Sequence, residues 1–390
     1  MPVKDEVNRQ REHLIRLRRW FHAHPEAALE EVMTCAKIVE ELEQLDIPYE
    51  YIAKTAIVAK IIGKKATSNK VVALRSDIDA LKMTDLKQET YKSIHEGLCH
   101  ACGHDAHTAT LLVAAKILKA KEAEFAGEIR LFFQPAEEIG GGAHFFVDQG
   151  YLKDVDRIFS VHVSSSIASG KVAITPGSVQ ASCDYFKIDI KGLGAHVAQP
   201  ERGIDALYIA SQTVVNLQSI ASRNTAALDA IIVGVGVLDA GSQYNIIAEH
   251  ATLEGTTRAF TPEIRAFTNR RVTEIAQQTA KLFGGEATIY WRDQAPPVIN
   301  DAEVAKVTSD IAKRIYGEDN VITNQQKQLG ADDYALMMNA TKGVYAYVGT
   351  NNENNPNTTV AHHHGLFDID EHALLASTQL YVDFALNHLD

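Results

Sequence analysis

Apolar residues recur at helical spacing through the first segment, about 3–45. Leu14, Leu17, Trp20 and Phe21 form one set, and Val32, Ile38, Val39 and Leu42 form another after Pro25. Two short apolar runs follow, AIVAKII at 56–62 and KVVALRSD at 70–77. The second is nearly continuous, as in strands buried on both faces of an α/β sheet. An Ala/Leu-rich helix is predicted over 108–121, with strands at 127–135 (GEIRLFFQP) and 157–163 (RIFSVHV). Strands alternating with helices predict a layered α/β domain.

The pattern changes in the middle of the chain. YFKIDIKG (185–192) alternates like a half-exposed strand, and 203–222 reads as a long amphipathic helix. Strands at 230–241 and 250–260, a helix at 262–283 and a strand at 286–292 complete a β-α-β-β-α-β order, the split βαβ or ferredoxin-like arrangement. The APP at 295–297 marks its exit. A helix at 302–316, the strand GVYAYVG (343–349) and a final helix at about 371–388 restore the α/β style. The expectation is one α/β domain made from 1–179 and 295–390, with the βαββαβ domain, 180–294, inserted into it. NNENNPN (351–357) is a polar loop, and no internal repeat or low-complexity tract interrupts the pattern.

Composition narrows the function classes. The chain has 390 residues, too many for one ordinary core, and is 46% hydrophobic and 23% charged, as soluble globular proteins are. A formal charge of −12 argues against a nucleic-acid partner, which needs a basic face, and weakly against an anionic membrane. The longest apolar stretch, IIVGVGVL at 231–238, is far short of the roughly 20 residues that span a bilayer. The N-terminal stretch is charged throughout and lacks an apolar signal region, and four cysteines (35, 99, 102, 183) make no disulfide framework. A cytoplasmic enzyme is the expectation.

The densest chemistry lies in HEGLCHACGHDAHTA (95–109), which holds four histidines, two cysteines and an aspartate. Its CxxC, Cys99 to Cys102, is followed by Gly103, which excludes a c-type haem site. A redox pair, a structural zinc knuckle and half of a catalytic metal centre stay open on the motif alone. Three further segments carry candidate ligands. FFQPAEE (132–138) puts Glu137 and Glu138 after a strand and before a Gly-rich turn; FSVHVSS places His162 in an apolar strand; AHHHGLFDIDE (361–371) offers three histidines before a helix. Each has a bland reading by itself: an acidic loop, a core histidine, a surface tract.

Taken in order, RRWFHAHPEAALEE (18–31), ALRSDIDAL (73–81), CHACGHDAHTA (99–109), QPAEE (134–138), SVHV (160–163), GLGAHVAQPERGIDAL (192–207), NIIAEHATLEGTTR (245–258), GADDY (330–334) and HHHGLFDIDEHAL (362–373) resemble the metal-dependent N-acyl-amino-acid amidohydrolases. That group sits in the dimetal aminoacylase and carboxypeptidase superfamily and includes hippurate hydrolase, the indole-acetyl-amino-acid hydrolases and N-acetyl-diaminopimelate deacetylase. The resemblance runs from about residue 10 to the C-terminus. It implies a dimetal-peptidase-like catalytic domain with the inserted domain serving as lid and dimerisation element. It implies two divalent ions, Mn2+ or Zn2+, held by Cys102, His104, Glu138, His162 and His363, with Cys102 as a bridging thiolate. His363 is preferred over His362 and His364 because the family's ligand stands four residues before the Phe of its F-D turn, here Phe367. Glu137 matches the general base.

Asp105 and His107 are candidates to orient the ligand imidazoles. In the inserted domain His196, Asn245 and Arg258 match substrate-binding positions, His196 often reaching into a partner subunit's site. An arginine fork is a natural reader of a free carboxylate. The implied activity is hydrolysis of the amide bond of N-acyl amino acids by a homodimer. A dipeptidase or aminopeptidase on the same dimetal site, or a non-catalytic metal-binding relative, are the alternatives. Absence of GxSxG argues against a serine nucleophile. Lys82 replaces the family's usual proline after DAL, Gly365 replaces another, and 197–201 reads VAQPE where small and His/Leu residues are common, so a named relative's substrate does not transfer.

Overall fold

The structure is a computed structural model that describes residues 2–389. The chain divides into two compact units: Met1–Gly177, Ile299–Gln326 and Asp333–Asp390 form one, and Ser178–Val298 with Lys327–Asp332 form the other.

The first unit is built on an eight-stranded mixed sheet. Its order is Tyr49–Tyr51, Ile57–Ile62, Glu128–Gln134, Val71–Asp77, Arg157–Ala168, Lys342–Asn351, Val172–Ala173 and Val321–Ile322. The central four strands run parallel, and antiparallel neighbours flank them on both sides. Val71–Asp77 is buried at every position because it has strands on both edges and helices over its faces. That burial is why its sequence lacks a polar alternation. The helix His104–Ala120 packs against Arg11–Ala23 and Ala373–Leu389 and is buried along nearly its whole length. Deeper in the core Phe159 stacks on Phe384 with ring centroids 4.6 Å apart.

That helix starts four residues before the position its apolar pattern predicts. Gly103 adopts φ 98° and turns the chain into it, and a Cβ there would lie 2.3 Å from Val163 Cγ2. Only glycine satisfies both constraints. The polar first turn, His104 to His107, escapes a hydrophobic-periodicity reading although all four residues are buried.

The second unit carries a four-stranded antiparallel sheet, ordered Glu286–Ala295, Cys183–Lys191, His250–Ala259, Ile231–Ala240. Helices Ala206–Leu217 and Pro262–Leu282 cover it, giving the β-α-β-β-α-β succession around Phe186, Ile188, Ile209, Leu253 and Val272. The first helix is shorter than 203–222. The Asp205 side chain accepts the N–H groups of Leu207 and Tyr208 and fixes its start, and the chain widens into a π-type turn at Ile220–Asn224. Among the described residues no helix is long and apolar enough to cross a membrane.

In the first unit the parallel strands deliver their carboxyl ends to one edge of the sheet, the usual place for chemistry in such folds. Val71–Asp77 leads to Asp79, and Glu128–Gln134 leads to the 3₁₀ turn Glu137–Ile139. That turn is bracketed by two left-handed residues, Ala136 (φ 55°) and Gly140 (φ 65°). A non-glycine residue in this region is strained and needs support. Glu31 supplies it: its Oε1 accepts the Ala136 N–H at 2.9 Å from a fully buried position.

Burial pushes the Glu31 carboxyl up to about 7, with the Asp79 charge adding to the shift. A folded value above the unfolded one means that the native state keeps the proton longer. The associated stability is complete below the unfolded value and is lost as pH rises through the folded one. Glu31→Gln keeps the acceptor and removes the charge. Relative to this variant, the native chain should lose on the order of 3 kcal/mol of unfolding free energy between pH 4.5 and 8. Urea unfolding of both proteins across that range checks this; parallel pH curves would refute it.

Candidate metal centre

Each histidine's environment reveals which ring nitrogen is free. His104 Nδ1 lies 2.9 Å from the Asp79 carbonyl, and His162 Nδ1 lies 2.7 Å from the Val163 carbonyl. A carbonyl only accepts, so both Nδ1 atoms carry a proton and Nε2 is the atom of each ring that can coordinate once it is deprotonated. The His104 Nε2 is buried and has no hydrogen-bond partner. His162 Nε2 lies 3.5 Å from the Cys102 sulfur. Burial, with His107 and His362 adding, holds His162 well below the ordinary histidine value and keeps it neutral.

Around these nitrogens the acidic groups converge. Donor atoms of Cys102, His104 and Glu138 all lie within 4.8 Å of one another. Glu137 Oε2 and Glu138 Oε1 are each 3.9 Å from His104 Nε2, and His363 Nε2 is 3.4 Å from Glu138 Oε2. The structure therefore brings Cys102, His104, Glu137, Glu138, His162 and His363 to one site in the first unit. Of the three consecutive histidines, His363 is the one that reaches Glu138. His362 is turned inward to accept the Ser165 N–H, and His364 Nδ1 accepts the Leu366 N–H. His363 also has φ 60°, a strained conformation for a side chain of this size.

Electrostatics test whether such donors suit a cation. Burial opposes charge on His104, yet Asp77, Asp79 and Glu138 hold its value up at about 10. Burial, then Glu138 and Glu137, push the Cys102 thiol well above its ordinary value. The Glu138 carboxyl, despite burial, is held down by its hydrogen bond to His363 and by the His104 charge. Without a cation, a proton on His104 is what balances this negative cluster. Divalent ions would replace that proton, take the free Nε2 lone pairs and stabilise Cys102 as thiolate. The donor set fits: imidazole, thiolate and carboxylate suit zinc, while the imidazole and carboxylate ligands also accept manganese.

The supporting residues differ from expectation. Asp105 and His107 do not orient the ligand imidazoles. Asp105 Oδ2 is taken by Arg18 Nε at 2.8 Å and His22 Nδ1 at 2.6 Å. His107 donates from Nδ1 to Asp77 at 2.6 Å and accepts the Val163 N–H at Nε2, so neither nitrogen is open. On the first turn of the helix Asp105 points away from His104, while His107, three residues on, shares its face with the ring centroids 5.5 Å apart but is committed to Asp77 and Val163.

Asp79 holds the site together. Its carbonyl takes the His104 Nδ1–H, and its two carboxylate oxygens accept the Glu137 and Glu138 N–H groups at 3.1 Å each. The motif ALRSDIDAL does not by itself reveal what Asp77 and Asp79 do. Two carboxylates at i and i+2 closing an apolar strand were the available signal. Asp333, which accepts the N–H groups of Gly142 and Ala143, was equally unassigned.

The second unit places His196 beside Asn245: Val197 N–H donates to the Asn245 carbonyl, and His196 bridges Ile246. Both side chains are exposed. Arg258 is not with them. It stands near the far end of His250–Ala259, opposite Ile232, on the order of 25 Å along the strand.

The family signature described as peptidase family M20/M25/M40 matches residues 73–387. An N-acetylcysteine deacetylase of Bacillus subtilis (strain 168) is 35% identical over 378 residues, covering 96% of each chain. A hippurate hydrolase of Campylobacter jejuni is 33% identical over 377 residues, again covering 96% of each. Among solved structures, the Bacillus subtilis YXEP protein, described as a dinuclear metal binding peptidase from the M20 family, superposes with a TM-score of 0.85. It is 32% identical and covers 98% of this chain and 99% of that one. The chain belongs to peptidase family M20/M25/M40, as an amidohydrolase of that family.

Proposed function

We propose that the protein hydrolyses the amide bond of N-acyl amino acids, with two divalent ions held by Cys102, His104, Glu138, His162 and His363. The observation that carries this reading is the pair of carboxylates on one strained turn, both facing the same unpartnered His104 Nε2. One carboxylate, Glu138, is engaged by His363, and Glu137, at the same 3.9 Å from His104 Nε2, is assigned the proton transfer. Relatives described as an N-acetylcysteine deacetylase and a hippurate hydrolase support an N-acyl amino acid substrate.

When bound, the ions supply a Lewis acid for the amide carbonyl and acidify water towards a pKa of about 7. The chain's own residues do the rest. Glu137, its backbone N–H tied to Asp79, takes the proton of the attacking water on a carboxylate oxygen. It then returns that proton to the departing nitrogen, so an amine and a carboxylic acid leave. His196 is assigned to polarise the carbonyl, with Asn245 beside it, and Arg258 to pair with the substrate's free carboxylate. The distance between His196 and Arg258 within one unit supports their serving different sites, His196 and Asn245 acting on that of a partner subunit.

A homodimer is part of this reading. Ile231–Ala240 is an edge strand of the second unit, with Ile232, Val237 and Leu238 36%, 48% and 45% exposed. An apolar unpaired edge invites strand pairing with a second copy.

Glu137→Gln should retain about two equivalents of bound Mn2+ or Zn2+ while losing roughly 10²–10⁴ in turnover. An active variant would remove Glu137 as the base. Release assays over N-acetyl, N-benzoyl and indole-acetyl amino acids, with dipeptides as controls, should favour the acyl compounds. Turnover of dipeptides alone would overturn the substrate assignment. Chelation should abolish all activity and re-addition of metal restore it. Val237→Lys should shift the protein from dimer to monomer in light scattering; an unchanged dimer mass would exclude this edge.

A further inference from the structure

Behind the candidate centre lies a buried polar network that the proposed chemistry does not use. Its hub is Arg18, on the helix Arg11–Ala23, with no solvent exposure. Arg18 Nε donates to Asp105 Oδ2 at 2.8 Å, and Nη2 donates to Asp368 Oδ1 at 2.7 Å. Both carboxylates are buried, and the guanidinium lies 4.9 Å from the centre of the Tyr91 ring. The Tyr91 hydroxyl donates to the other Asp368 oxygen at 2.7 Å. Asp105 directly follows His104, and Asp368 stands five residues after His363. One rigid fork thus joins the two chain segments that present those histidines.

Parallel ties reinforce the same connection. His22, one turn along from Arg18, contacts Asp105 through Nδ1 and lies 3.3 Å from Asp85 through Nε2. Lys87, also fully buried, sits 3.1 Å from Asp85 and donates to the Phe367 carbonyl at 2.9 Å. Beyond the fork the two segments are unequally supported. His104 is on a buried helix braced by Asp79, and Cys102 and His162 lie close beside it. His363 is on an irregular segment with its side chain 54% exposed, held locally by its N–H to the Ala101 carbonyl.

We infer that Arg18 is a positioning residue that sets the spacing between the His104 and His363 segments and so governs occupancy of the half of the centre formed by Glu138 and His363. This rests on the ligand set proposed above. Weakening the fork loosens the His363 segment more than it loosens His104, Cys102 and His162. The two ions therefore separate in affinity, while the substrate-binding unit is untouched.

The test uses the full-length protein, stripped of metal and titrated with Co2+, followed by calorimetry and by the cobalt absorption bands. Arg18→Lys keeps the charge without the fork, and Asp368→Asn removes one arm should the first variant fail to fold. Arg130→Met, which breaks an ion-pair group at the opposite end of Glu128–Gln134, serves as a stability control. The native chain should take two equivalents. Each fork variant should take the first with native affinity and the second about 10–100-fold more weakly, with kcat restored by excess Co2+ at unchanged KM. Native-like binding of both ions by the fork variants overturns the inference alone, as does equal weakening of both steps or the same loss in Arg130→Met. A native chain that takes fewer than two equivalents overturns the ligand set and this inference with it.

Discussion

Negative charge buried at the carboxyl ends of parallel strands is the constraint on which the rest of the structure depends. Asp77, Asp79, Glu137, Glu138 and the Cys102 sulfur crowd around one imidazole, in a region where water does little screening. Unbalanced charges in such surroundings cost far more than exposed ones. The fold answers with fixed N–H donors, with the His104 ring and with a site suited to divalent cations. Charge balance and the proposed chemistry therefore converge on one place, the His104 ring.

That requirement explains where the backbone is bent away from comfortable conformations. Left-handed Ala136, Gly103 and His363 all stand at or beside residues of the candidate centre. Each is braced from outside: Glu31 holds Ala136, the close contact with Val163 restricts Gly103 to glycine, and the Ala101 carbonyl holds His363. Strain kept in place by buried partners is a means of fixing side chains before a substrate arrives.

A layered organisation follows. Cys102, His104, Glu138, His162 and His363 face the centre, and Asp79 ties three backbone and ring groups behind them. Further out, Arg18 and Lys87 balance Asp105, Asp368 and Asp85. Each buried carboxylate in this set meets a donor or a cation, as low-dielectric surroundings demand. In the second unit the apolar residues Ile232, Val237 and Leu238 of the edge Ile231–Ala240 and the pair His196 and Asn245 are instead exposed.

The succession of elements was readable from the chain, because hydrophobic spacing records which face each helix or strand buries. The α/β sheet and the β-α-β-β-α-β order of the middle segment needed nothing further, whereas the blocks around Cys102, Glu138 and His162 took their meaning from the family resemblance. Helix His104–Ala120 was misjudged at its start, since its first turn is polar for the sake of the site and not of the core. The tasks of Asp79, Asp105, His107 and Arg18 were equally out of reach. Periodicity states that a residue turns inward, but the identity of its partner depends on segments as far apart as residues 18 and 368. The three histidines 362–364 are the clearest instance: the family resemblance pointed to His363, and the contact with Glu138, with His362 committed to Ser165, came from the tertiary arrangement. Sequence by itself determined which chemical groups are present and on which elements. Only the tertiary structure decided which of them face one another, because hydrogen-bond geometry and burial are properties of converging strands, not of neighbours along the chain.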